Sequence, residues 1–529
     1  MKIALAQLNY TVGDIEGNTF KIIDSIQRAK REGANLVVFA EQSVSGLPAY
    51  ELLRKNTFLE LCEDALVQIA SECDNISALV GLPLLTDHGT VSAAALIQNR
   101  KVLRYIGKRD ITARREMGFL SASTGYEYAT IGGHKLAIVV GDDLSRLRDF
   151  DNSIETIISL NARKYGRATL ARRYDTARHI AYVENKNIVM VNQVGGGADI
   201  VYDGTSCVFN KRGEHTLIMK SFEEDFQIYD LGIDHKGESR APYESYNIRP
   251  KLLFEAARLG LKDFFYKSGY QKACLGLSGG IDSSVVASIA VAALGKENVM
   301  GLILPSDFSD QSSIDDAVEL ARNLGIDYNI IPITDTYTSI IDTLSPIIGG
   351  TEFDATEENI VSRIRTTILM ALQNKRGHIL LNSTNKSENA LGLCTLYGDT
   401  AGAISVTGDL YKNEIYAIAK HINKIMDRPI PEAILNKEPT SELLRPDRRD
   451  AQQLPSYEVV DAIVFRMIEK RQHREEILNA GFDLHDVELI HKMIMQSEKK
   501  RFQCPPVLRL SSCSFGHEWF MPLTHKYGD

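Results

Sequence analysis

The sequence predicts an α/β protein of two domains, and three observations carry that reading. The chain has 529 residues, whereas a single hydrophobic core stops growing at about 250 to 300. Short apolar strands alternate with helix-like stretches along both halves, the pattern of helices layered on sheets. Between residues 236 and 250 that periodicity gives way to Pro, Gly and charge, as linkers do. The expected partition is a domain over 1–235, a linker over 236–250 and a second domain over 251–529.

In the first domain IALAQL, NLVVFAE, SALVGLPL, KLAIVVGDD and NIVMVNQV read as strands and TFKIIDSIQRAKREG as a helix, which makes a layered α/β domain. The fourth of these strands runs out at Gly141 and delivers Asp142 and Asp143 onto a turn. In the second domain LLFEAARLGLKDFFYKSG reads as an amphipathic helix. ACLGLSGGIDSSVVASIAVAALG, NVMGLILPSD, AVELARNLGIDYNIIPI and HILLNSTNKSE then alternate strand and helix, which predicts a parallel, doubly wound sheet of the Rossmann-like kind. There is no internal repeat and no low-complexity segment.

Apolar residues at 44%, charged residues at 24% and 38 glycines are ordinary for a globular enzyme. A net charge of −9 excludes a general binder of nucleic acid or anionic membranes but allows a local basic pocket for a phosphorylated ligand. Seven scattered cysteines without CxxC spacing make neither a disulfide framework nor a zinc site, so a cytoplasmic protein is expected. The apolar stretch in MKIALAQLNY is too short for a signal peptide, and no segment approaches a membrane span.

The most specific stretch is LGLSGGIDSS, residues 275–284, a strand that ends in Ser-Gly-Gly and opens into a helix. Gly279 and Gly280 permit a backbone approach that a Cβ would block, and the helix N-terminus offers unpaired N–H groups to an anion. The hydroxyls of Ser278 and Ser283 add donors. Asp282 alone would repel phosphate, so its presence points to a bridging Mg²⁺. GxxxxGK[ST] is absent, which sets the loop apart from the Walker type.

This loop resembles that of the N-type ATP pyrophosphatases, which adenylate an oxygen and let a nucleophile displace AMP. ENIVSRIRTTILMALQNK (358–375), NKSENALGLCTLYGDTAG (385–402) and KEPTSELLRPDRRDAQQLPSYEVVD (437–461) are similar to segments of NAD synthetases. That family makes NAD from deamido-NAD. The resemblance covers residues 250–515 and implies ATP contacts at Gly276, Leu277, Ser278, Gly279, Gly280, Ile281, Asp282 and Ser283, with Ser383, Lys412 and Thr440. It implies Mg²⁺ on Asp282, Glu388 and Thr440, deamido-NAD on Asn359, Arg363, Glu388 and Lys500, and catalytic roles for Asp282 and Lys412. Asn359 and Arg363 are four apart and share a helix face; Arg365 lies on the same helix. Arg363 also reads as a solvated helix residue and Lys386 as a surface charge. FGHEWFMP near the C-terminus departs from the basic pattern typical of the family there.

ALAQLNYTVGDIEGN, VVFAEQSVSGLP and VNQVGGGADIVYDGTS are similar to the nitrilase-like glutaminase domain, an α/β sandwich, that precedes the synthetase in glutamine-dependent NAD synthetases. That domain works with a Glu, Lys, Cys triad. Glu41 and Lys108 match the first two members. The family's Cys-Glu-Asp-Leu-Trp reads Gly141-Asp142-Asp143-Leu144-Ser145, so the nucleophile is missing, and neither Asp142 nor Ser145 takes its place on the turn. The Ser-Pro common after the next strand is replaced by LNARKYGR. Cys62, Cys73 and Cys207 read as small buried thiols. The resemblance thus implies an NAD synthetase fed by free ammonia, with Glu41, Lys108 and Gly141 as a remnant, and a homodimer or higher homo-oligomer. The alternatives are an amidating ligase acting on the mononucleotide acid and a non-catalytic ATP or NAD sensor.

Overall fold

The computed structural model describes residues 1–111, 116–123, 127–146, 151, 153–166, 168–239, 250–350, 352–437 and 454–526. It comprises two compact units, Met1–Asn247 and Ile248–Asp529. Glu238, inside the expected linker, still exchanges backbone hydrogen bonds with His215.

In the first unit β1 (Lys2–Gln7), β2 (Leu36–Val38), β3 (Ser77–Thr86), β4 (Gly89–Gln98) and β5 (Lys101–Gly107) build one sheet. The second sheet begins with β6 (Glu127–Ile131), β7 (His134–Val140), β8 (Thr156–Asn161) and β9 (Asn187–Asn192). After a ribbon of β10 (Val194–Gly197) and β11 (Ile200–Asp203), β12 (Cys207–Phe209) and β13 (His215–Ile218) complete it. β14 (Asp225–Asp230) returns to the edge of the first sheet beside β1. Alternation decides the faces. Ile3, Leu5, Leu36 and Val38 turn inward against Leu136, Ile138, Val140 and Leu160 of the other sheet. The opposite face of the first sheet carries Ala4, Ala6 and Val37 under Ile22 and Ile26 of α1 (Ile15–Arg31) and Leu59 and Leu66 of α2 (Asn56–Ser71). Ala137, Val139 and Ile157 lie under Tyr174, Ala177 and Ile180 of α3 (Thr169–Val183). The result is the expected sandwich of two sheets between helices. NLVVFAE is strand only at Leu36–Val38, because the chain then leaves the ladder and carries Glu41 past the sheet end.

The second unit opens with α4 (Pro250–Ser268) and builds one parallel sheet from β15 (Lys272–Gly276), β16 (Val299–Ile303), β17 (Asp327–Ile330), β18 (His378–Asn382) and β19 (Ile404–Ser405). Its order is β17-β16-β15-β18-β19. The chain runs outward from β15 in one direction and restarts on its other side with β18, so a crevice opens past the carboxyl ends of β15 and β18, where doubly wound sheets bind ligands. The crossings are made by α5 (Ile281–Leu294), α6 (Gln311–Leu324), α7 (Thr334–Ile348) and α8 (Ala355–Arg376); α9 (Lys386–Leu391) follows β18, and α10 (Lys412–Ile425) follows β19. Among the described residues no helix is long and apolar enough to cross a membrane.

Candidate active site

The loop between β15 and α5 requires its glycine. Gly279 has a φ of +75°, and a Cβ there would lie 2.1 Å from the Ser313 carbonyl oxygen. The loop is braced by its own hydroxyls: the Gly280 N–H donates to Ser278 Oγ at 3.2 Å, and the Ser278 and Ser283 hydroxyls are 3.1 Å apart. Ile281 starts α5, whose N-cap Gly280 supplies no side-chain cap to the first N–H groups of the helix, the groups that suit an anion. Gly276, Leu277, Ser278, Ser283 and Ser383 line one cavity of about 190 Å³, floored by apolar side chains such as Leu302 and Leu369. Arg365 also lines it, with Nε donating to the Leu304 carbonyl at 3.0 Å.

Asp282, on the first turn of α5, faces the elements that follow β18 and β19. Its Oδ2 accepts from Lys412 Nζ at 2.5 Å, and Glu388 Oε1 lies 3.7 Å from the same ammonium. Burial and the neighbouring Asp282 charge push the Glu388 carboxyl up to about 8, although Lys412 opposes the shift. For Lys412 the two carboxylates outweigh burial, so it stays a cation. Two carboxylates share one lysine here, and a second cation would relieve their repulsion. Their hard oxygens suit Mg²⁺, which takes one or two carboxylates and fills its remaining positions with water and phosphate oxygens. Thr440 lies outside the described residues.

A second group gathers on the loop after α9. Asn359 Oδ1 accepts from Thr395 Oγ1 at 2.6 Å, and the exposed Arg363 donates from Nε to the Leu396 carbonyl at 3.1 Å. Lys500 Nζ donates to the Gly392 and Cys394 carbonyls at 2.6 and 2.7 Å. Two residues of α8 and one from the C-terminal region thus meet residues 392–396, the loop that follows the helix carrying Glu388. Lys386 corrects the expectation of a surface charge. It is fully buried, 2.9 Å from Asp409 and 3.2 Å from Glu469.

In the first unit Glu41 and Lys108 are both buried, with Lys108 Nζ 3.1 Å from Glu41 Oε1 and 2.8 Å from Glu116 Oε1. Ser92 donates to Glu41 at 3.0 Å. Gly141 opens a short 3₁₀ turn right after β7, with a φ of +61°. A Cβ on it would stand 2.7 Å from Lys108 Nζ and 2.8 Å from Glu41 Oε2. Asp142 pairs with Arg163 at 2.6 Å, and the Asp143 carboxylate accepts the Arg109 and Asp110 N–H groups at 2.9 and 2.8 Å. Cys62, Cys73 and Cys207 are buried, and desolvation pushes each thiol up to about 12, which leaves them poor nucleophiles.

The NAD synthase family model matches residues 253–504, and the carbon–nitrogen hydrolase model matches residues 2–112. The chain is 35% identical to the glutamine-dependent NAD(+) synthetase of Thermotoga maritima over 100% of this chain and 99% of that one. It is also 35% identical to the Synechocystis protein of the same name over 99% of each. The chain belongs to the glutamine-dependent NAD(+) synthetases. A solved member from Acinetobacter baumannii, in complex with adenosine diphosphate, aligns at a TM-score of 0.77 with 33% identity over 99% of this chain and 98% of that one. Another, from Cytophaga hutchinsonii, aligns at 0.86 with 18% identity over 100% and 98%, and shares the fold. As an NAD(+) synthetase the protein is an ATP-dependent ligase.

Three residues of this NAD(+) synthetase escaped the sequence reading. Glu116, the second carboxylate on Lys108, follows it by eight residues without periodic signal. Asp399 lines the cavity, accepts the Thr395 N–H at 2.6 Å, and is pushed by burial up to about 6. Asn385 was legible in principle, since N-x-x-E is a capping-box pattern and the box forms here.

Proposed function

We propose that this NAD(+) synthetase amidates deamido-NAD with free ammonia, converting ATP to AMP and pyrophosphate. The observation that carries the synthetase half is the convergence of Asp282, Glu388 and Lys412 beside the β15–α5 loop. The substrate carboxylate attacks the α-phosphorus of ATP, an acyl adenylate forms and pyrophosphate leaves. Ammonia then adds to the acyl carbon, AMP leaves and a proton passes to solvent. Attack brings two anions together, so cationic groups must stand where charge develops. The α5 N–H groups and the Ser278 and Ser283 hydroxyls bind phosphate oxygens, and Lys412 exchanges its carboxylate partners for the phosphates. Asp282, Glu388 and Thr440 would hold Mg²⁺, which supplies Lewis-acid neutralisation of the phosphates. Asn359, Arg363 and Lys500, gathered on residues 392–396, hold the dinucleotide.

Gly141 supports ammonia as the nitrogen source. Its Cβ direction points between Glu41 and Lys108, which is where a nucleophile of the Glu, Lys, Cys kind has to stand, and glycine has no atom to form the thioester. The Asp142–Arg163 ion pair lies at the same turn. With ATP, Mg²⁺, deamido-NAD and ammonium, the protein is expected to form NAD, AMP and pyrophosphate, and Asp282→Ala to abolish this. Glutamine, with ammonia enzymatically scavenged, is expected to give no NAD. NAD formation from scavenged glutamine would overturn the nitrogen source, and normal turnover by Asp282→Ala would overturn the site.

A further inference from the structure

Asn385 is fully buried at the start of α9, between the two carboxylates of the site. Its side-chain oxygen accepts the Glu388 backbone N–H at 2.9 Å, and its own backbone N–H reaches Glu388 Oε2 at 3.2 Å. Its amide nitrogen donates to Asp282 Oδ1 at 2.8 Å. One side chain therefore grips the carboxylate on α5 and fixes the helix that carries the other. It does so where β15 and β18 pair in the sheet, joining two residues 103 apart in sequence.

We propose that Asn385 is a positioning residue for the cation site, keeping Asp282 and Glu388 turned toward one divalent ion. The inference rests on the reading of that pair as metal partners. The chemistry favours an amide at this point. The N-cap needs an acceptor for the Glu388 N–H, and Asp282 needs a donor that carries no charge. With Oδ1 occupied by the amide, Oδ2 is the oxygen left to Lys412 and to the cation. Without the amide, Asp282 is free to rotate and offer both oxygens to the ammonium 2.5 Å away, which would turn the carboxylate from the metal. Aspartate would cap the helix but set an acceptor-only, charged group against Asp282. Serine would also cap it, but its single short hydroxyl cannot serve both partners.

Those two substitutions separate the proposal from a plain capping role, because Ser, Asp and Asn are near-equivalent N-caps. Binding of Mn²⁺ with ATP is followed by electron paramagnetic resonance on the full chain, on Asn385→Ser, on Asn385→Asp and on Asp282→Asn, with Tm and metal-free ATP binding measured alongside. Outer partners of metal ligands carry about 10- to 100-fold of affinity. Asn385→Ser is expected to weaken Mn²⁺ binding about tenfold with little change in Tm, and Asn385→Asp to weaken it about a hundredfold, with a lower Tm from the added buried charge. Metal-free ATP binding by Asn385→Ser is expected to match the parent. Parental Mn²⁺ affinity in both Asn385 variants overturns the proposal, and so does a loss of affinity by Asn385→Ser that merely tracks a loss of Tm. Unchanged Mn²⁺ binding by Asp282→Asn instead overturns the underlying assignment of the metal pair.

Discussion

Gly141 shows how much of a site is decided by one backbone angle. Its φ of +61° disfavours any side chain, and a Cβ would press on Lys108, whose ammonium is already held by Glu41 and Glu116. The lysine head cannot swing aside without breaking buried ion pairs. Gly141→Ala is therefore expected to destabilise the protein by about 1–3 kcal/mol, the combined range for a left-handed residue and an overpacked core, read as a lower urea midpoint. Gly141→Cys is expected to restore no glutamine-dependent NAD formation, since about 1 Å of misplacement can cost a hundredfold in rate. A cysteine variant of parental stability that turns over glutamine would show a pocket still shaped for catalysis. Glu41, Lys108 and the missing nucleophile were legible because each sits in a recognisable short motif. The crowding, Glu116 and the Asp142–Arg163 pair were not, because they arise only where separate strands end together.

Among the elements α9 departs most from its sequence reading. Its lysine, Lys386, reads from the sequence as a surface charge. The helix is only six residues long, and it packs Ala390 and Leu391 into a cluster with Val460, Ile490 and Ile494. Its first residue, Lys386, is thereby driven inward, where Asp409, Glu469, the Ser511 hydroxyl and the Cys513 carbonyl surround the ammonium. Burial raises the Asp409 carboxyl, but Lys386 and three hydrogen bonds more than reverse this, so the carboxylate stays ionised. Lys386→Ala would leave Asp409 and Glu469 buried without their cation. The expected loss is about 3–5 kcal/mol, the range for breaking a buried pair from one side, measured by chemical denaturation. A change below about 1 kcal/mol, as for exposed ion pairs, would return Lys386 to the surface class. Since α9 also holds Asn385 and Glu388, the same variant is expected to lose activity with its stability.

At the scale of the molecule, two units each own a hydrophobic core, one between paired sheets and one around the parallel sheet. Calorimetry is expected to show more than a single two-state transition. Mg²⁺ with ATP at about 100 times Kd is expected to stabilise the unit that binds it by about 2.7 kcal/mol, raising one transition and leaving the other in place. A single transition that moves as a whole would show the units to unfold together. What the sequence determined by itself was local or periodic: the strand and helix alternation, the Ser-Gly-Gly-Ile-Asp loop, and the motifs that match the family. Hydrophobic period and turn chemistry act over a few residues, so a linear reading captures them. The tertiary structure alone decided which groups share charge. Asp282, Asn385, Glu388 and Lys412 meet because they follow β15, β18 and β19, parallel neighbours in the sheet, with the winding of the chain reversing between β15 and β18. Burial there sets whether a carboxyl such as Glu388 holds its proton, since desolvation and neighbouring charge depend on distance in space, not on separation along the chain.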